Sequence, residues 1–88
     1  MNKERRKQIE EARKLIEEAF GKLEDARSMI SDVMDAEQDA FDALPESFQD
    51  GERGGVMQEA IDNLAYAIDD LESIDFDSVY TYLEEASA

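Results

Sequence analysis

The chain has 88 residues, twenty-four acids against nine bases, no histidine, no cysteine and a formal charge of −15. That length allows one small domain with a thin core, and the missing residue types exclude a disulfide, a thiolate zinc site and histidine-based catalysis. Residues 1–27 carry eight bases and seven acids, whereas residues 28–88 carry one base, Arg53, and seventeen acids, a field that repels nucleic acid and anionic membrane and attracts basic protein surfaces.

From Ile9 the apolar residues recur at spacings of three and four: Ile9, Ala12, Ile16, Ala19, Leu23, Ala26, Ile30 and Val33, then Glu37, Ala40 and Leu44. This is a heptad seam with one polar member, and it predicts a helix over 3–44. Leu15 and Met29 widen the stripe on one side; Phe20, Met34 and Phe41 widen it on the other. Gly21 is the one poor helix former in mid-run and suggests a close helix contact. Pro45 ends the helix, because it disfavours helical backbone at Leu44 and removes a donor.

Residues 45–53 make a corner. Pro45 suits the start of a short turn, Phe48 is expected to fold back over the end of the core, and Asp50 is the expected N-cap of the next helix. That helix, over 54–74, shows Met57, Ile61, Leu64, Ile68 and Leu71 at spacings of four and three. Gly54 and Gly55 either weaken its start or permit close backbone approach to the first helix. After Ile74 the phase slips to Phe76, Val79, Tyr80, Leu83 and Ala86, which marks either a kink or a break, with Asp75 or Asp77 placed to cap a short third helix over 77–86.

The fold class expected is therefore all-α: one domain over 1–88, an antiparallel, coiled-coil-like helical hairpin with a short third C-terminal helix. A first helix of about 42 residues spans roughly 63 Å and a return of about 30 residues spans roughly 45 Å, so the first ten or so residues should overhang. Glu84 and Glu85 return towards Arg5, Arg6, Arg13 and Lys14. The wide apolar face needs further cover, either from the third helix or from a symmetric homodimer that completes a dimeric bundle.

Catalysis lacks its parts. The six serines have no histidine to activate them, and the Glu-x-x-His of carboxylate-bridged metal bundles cannot be built. The stretch DFDSVYTYLEEA from Asp75 begins like a calcium loop but carries Val79, Tyr80 and Ala86 where a ligand, a glycine and a glutamate are needed. The expectation is a non-enzymatic protein with no cofactor and no structured metal site. No run of about 18 apolar residues is present, and the N-terminal stretch lacks the apolar centre of a signal peptide, so a cytoplasmic location is expected.

The patterned feature is acidic. Asp32, Asp35, Asp39 and Asp42 fall at spacings of three, four and three on the helix edge opposite the seam, with Asp25 on the same face. Neighbours at those spacings lie about 5–6 Å apart. Glu59, Asp62, Asp69 and Glu72 continue the theme on the second long helix, with Tyr66 among them as a candidate aromatic anchor; Tyr80 and Tyr82 are either anchors or core. Strand phosphates lie about 3.4 Å of axis apart, so rows of carboxylates suit lysine and arginine clefts built for nucleic acid. The plainer reading is a solvated face that keeps a bundle dispersed. Against it, like charges at i and i+4 each cost a few tenths of a kcal/mol, and this chain has little stability to spare.

Residues 40–72 carry a further pattern. Ala40, Phe41, Leu44, Pro45, Glu46, Ser47 and Gln49 form a corner, Glu52, Arg53 and Gly54 a turn, and Met57, Glu59, Ala60, Asp62, Asn63, Leu64 and Ala67 a helix start. This resembles a small acidic helical family of bacteriophages and prophages, in which the motif is A-F-x-x-L-P-E-S-x-Q followed by E-R-G. The resemblance covers a little over a third of the chain. It implies a helical hairpin of phage origin and, by analogy with other small acidic phage proteins, an anti-defence role such as an anti-CRISPR or anti-restriction protein in the host bacterial cell.

The function expected is an acidic inhibitor that binds a basic, nucleic-acid-binding surface of a host defence protein such as a CRISPR-Cas effector, mimicking DNA without binding it. Its partner-binding residues are Asp32, Asp35, Asp39 and Asp42, with Glu59, Asp62, Asp69, Glu72 and Tyr66. The alternative is a helical assembly module that acts through its own dimer seam.

Overall fold

The structure, a computed structural model, describes all 88 residues. It is all-α, with four helices: α1 Lys3–Asp42, α2 Glu46–Gln49, α3 Glu52–Glu72 and α4 Phe76–Ala86. The chain divides into two compact units, Met1–Glu24 with Ile74–Ala88, and Asp25–Ser73.

α1 starts at a polar cap that the heptad pattern does not mark. The Asn2 side-chain oxygen accepts from the Arg5 N–H at 2.8 Å, which satisfies one of the helix's orphan donors. In the first unit the N-terminal half of α1 and α4 run antiparallel. The Phe20 and Phe76 rings meet edge to face with centroids 5.0 Å apart, and the Arg13 guanidinium lies 5.2 Å from the Tyr80 ring centre. Each contact is worth about 0.5–1.5 kcal/mol. Further along, Arg6, Ile9, Glu10 and Arg13 share an open cleft with Leu83, Glu84 and Ser87. The expected overhang is thus much shorter, since the end of α4 reaches back to Arg6. Glu84 does come back to the basic segment, but Arg13 pairs with Glu17 of its own helix, at 3.5 Å.

In the second unit Arg27 of α1 meets Glu72 of α3 at 3.5 Å, and the corner joins the other ends, so these helices are also antiparallel. Both side chains are substantially exposed, and the pair contributes under about 1 kcal/mol. The half-buried line on α1 is Ile30, Met34, Glu37 and Phe41, continued by Leu44 beyond its end; on α3 Met57, Leu64, Ile68 and Leu71 are half-buried around the buried Ile61. Ile61, 8 % exposed, is the one hydrophobic residue that is buried, and no side chain in the molecule is fully withdrawn from solvent.

The expected seam on α1 is therefore rotated. Val33 and Ala40 of the expected seam face solvent, whereas Met34 and Phe41, expected at its margin, are half-buried. Phe41 and Met34 remove more apolar area from water than alanines do, so the phase that covers them is favoured. Glu37 does occupy the half-buried line.

The corner differs from expectation at three residues. Phe48 is 53 % exposed and does not cover the core. The inward position belongs to its neighbour Gln49, whose side-chain amide donates to the carbonyls of Phe41 and Leu44, at 3.1 Å each. It thereby gives the Leu44 carbonyl a donor and adds a second to the Phe41 carbonyl, which also accepts from the Leu44 N–H. Asp50 closes α2 with helical backbone, and the extended residue at the start of α3 is Gly51, which makes no side-chain cap. Gly54 is buried against the backbone of Gln49, so the close approach is to α2 and not to α1. Gly21 and Gly55 touch nothing at their Cβ positions, and the close contact expected of Gly21 is absent.

Beyond α3 the helical path is broken, not kinked. α3 ends at Glu72, and Asp75 caps α4 by accepting from the Ser78 N–H at 2.9 Å and the Ser78 hydroxyl at 2.7 Å. That role also accounts for the calcium-loop-like start at Asp75.

Candidate functional site

The Asp25–Ser73 unit holds fourteen acids and two bases, Arg27 and Arg53. Its acidic edge follows from helical spacing alone. Asp32, Asp35, Asp39 and Asp42 are all exposed on α1, on the side away from the Ile30, Met34 and Phe41 line. Successive Cβ atoms on this edge lie about 5–6 Å apart, so the four carboxylates form a continuous row.

Their surroundings differ. Asp42 accepts from the Gln38 amide at 3.0 Å, a bond that holds its carboxylate along the helix. The carboxylates of Asp32, Asp35 and Asp39 have no protein partner and are free to accept from an incoming lysine or arginine. The row runs into the last turn of α1, which has no base, so Asp39 and Asp42 sit where the helix dipole is already negative.

On α3 the residues divide. Glu59, Asp62, Tyr66 and Asp69 follow a spacing of three, four and three and are exposed; Tyr66 is 63 % exposed, so its ring is available to a partner. Asp62 accepts from Gln58 at 3.1 Å. Glu72 is set apart, turned towards α1 in its pair with Arg27. Of the other two tyrosines, Tyr80 is half-buried under Arg13 and Tyr82 is 70 % exposed.

The sequence reading missed a second feature of this unit. Met29, Val33, Ala36 and Ala40 make an exposed apolar strip beside the acidic edge. A signal for it is the small side chain at most positions of one heptad phase, Ala12, Ala19, Ala26, Val33 and Ala40, which suits an exposed face as well as a core seam.

An arrangement of exposed carboxylates, an exposed tyrosine and an apolar strip is suited to binding protein. No group of three or more acids converges closely enough to hold a metal ion, and no helix is long and apolar enough to cross a membrane. No protein-family model, no curated protein and no solved structure matches the chain.

Proposed function

We propose that the chain is a non-enzymatic protein-binding module whose acidic face engages a basic surface of a partner protein. The row of unpartnered carboxylates at Asp32, Asp35 and Asp39, in a unit with two bases, carries this reading. An ordered row of that density suits clefts that grip a nucleic-acid strand. Together with the phage-like corner, it supports an inhibitor that occupies the nucleic-acid-binding channel of a host defence protein such as a CRISPR-Cas effector.

The test is capture from bacterial lysate on immobilised protein, at low and high salt, followed by challenge with duplex DNA. Nucleic-acid-binding proteins should be retained at low salt, released by DNA, and lost when Asp32, Asp35 and Asp39 are changed together to lysine. Retention by that variant, or failure of DNA to compete, would sink the mimicry.

A second reading, a helical assembly module acting through its own dimer seam, is favoured by the exposure of eleven large apolar residues against one buried, Ile61. It requires a dimer in sedimentation experiments that persists at high salt.

A further inference from the structure

We propose that the apolar strip on the C-terminal half of α1 is the seat for a basic amphipathic helix of the partner. This rests on the protein-binding reading above and replaces a diffuse charged surface with a defined ligand shape. Met29, Val33, Ala36 and Ala40 are spaced four, three and four, so they share one helix face. Met29 is 69 % exposed and Val33 57 %, and both alanines are exposed. An ordinary solvent face carries charged or polar residues at such positions. The alanines let a second helix approach to an axial distance of about 8 Å, while Met29 and Val33 supply apolar contact.

Charge identifies the occupant. Asp25, Asp32 and Asp39, seven residues apart and all exposed, follow one margin of the strip, each three or four residues from Met29 or Ala36. The opposite margin is the half-buried line of Ile30, Glu37 and Leu44. A helix seated on the strip therefore meets one continuous acidic margin. A second copy of the chain fits badly. Packed antiparallel, its own Asp25, Asp32 and Asp39 would face the same three residues; packed parallel, they would face the line of Ile30, Glu37 and Leu44, which offers no base. Either arrangement leaves three carboxylates partly desolvated without compensation. A helix with lysine or arginine at every seventh residue along one edge supplies a partner for each. The seat from Asp25 to Ala40 is 16 residues long, which sets the ligand at about four or five helical turns.

The probe is a synthetic helical peptide of about that length, with an apolar seam and lysines along one edge. Controls are a scrambled peptide of identical composition and the same helix with glutamates for lysines. Binding to the intact protein is read by calorimetry. The lysine-edged helix should bind about tenfold or more tightly than the scrambled peptide. Met29→Glu with Val33→Glu should remove that advantage while circular dichroism stays unchanged, and Asp25→Asn, Asp32→Asn and Asp39→Asn together should weaken binding and flatten its salt dependence. Equal binding of the scrambled peptide overturns the helix seat but leaves the basic-surface reading standing. Absence of binding by any lysine-rich peptide at low salt overturns both. Self-association abolished by Val33→Glu would assign the strip to a second copy and overturn the proposal.

Discussion

Gly54 packs directly on the backbone of Gln49: a methyl group built on Gly54 would strike the Gln49 carbonyl oxygen and lie 2.6 Å from its carbonyl carbon and 2.7 Å from its Cα. Because the obstacle is main chain, no rotamer change relieves it. Gly54→Ala is therefore expected to destabilise the fold by about 1–3 kcal/mol, the usual cost of overpacking. Gly55→Ala and Gly21→Ala, at helical positions with open space around the Cβ, should each stabilise it by about 0.5–1 kcal/mol. Urea denaturation of the three variants checks the opposite signs.

Gln49 joins the two ends of the corner. Its amide group closes the end of α1 through the carbonyls of Phe41 and Leu44 while its backbone forms the floor under Gly54. Gln49→Leu keeps the approximate size and loses two hydrogen bonds in a half-buried site, so it should cost about 1–3 kcal/mol. Gln49→Glu should cost at least as much, since a carboxylate cannot donate to either carbonyl. Neutral effects on the urea midpoint would show that water replaces the amide freely.

Ile61 should be the most sensitive apolar position. It is the one buried hydrophobic residue, and Ile61→Ala is expected to cost about 2–4 kcal/mol, whereas Met29→Ala, on the exposed strip, should change stability by less than about 0.5 kcal/mol. A similar loss at both sites would mean that the strip is covered within the folded chain.

The Ser78 hydroxyl, and then the Ser78 N–H, hold the Asp75 carboxyl below its ordinary value of 3.8. Its folded-state value being lowered, the stabilisation is complete above the ordinary value and is lost as pH falls through the lowered one. In a carbon-detected NMR titration Asp75 should have its midpoint below 3.8, and Ser78→Ala should move it back up. Asp75→Ala should reduce helicity in α4. A midpoint at or above 3.8 in the unaltered protein contradicts the cap.

These elements differ in how far the sequence discloses them. The acidic row was legible because helical spacing alone fixes which aspartates align, and no packing choice alters it. The heptad phase of α1 was not: apolar residues cover so wide an arc that either Val33 and Ala40 or Met34 and Phe41 satisfy the same periodicity, and only the area buried decides. The corner hid its mechanism for another reason. Phe48 carries the apolar surface and Gln49 does not, yet the Leu44 carbonyl needs a donor there, and with Gln49 turned inward Phe48 faces out. Asp50 similarly has the right chemistry for an N-cap but the wrong backbone, since it closes α2 in the helical region.

Asp39 brings stability and function into opposition. It lies in the last turn of α1, where an anion faces the negative end of the helix dipole, and it follows Asp35 by one turn, so both terms are unfavourable, together about 0.5–1 kcal/mol. Asp39→Lys reverses them and should raise stability by about 1 kcal/mol, with most of the gain disappearing at high salt. The same residue lies in the acidic row and beside the apolar strip, so the variant should lose affinity for a basic partner as it gains stability. A folded chain with so little buried surface has reason to keep a destabilising carboxylate if the partner uses it. Measuring the urea midpoint and low-salt capture on one preparation separates the cases: a stabilised variant that still captures the same proteins would show that the charge at Asp39 serves no partner.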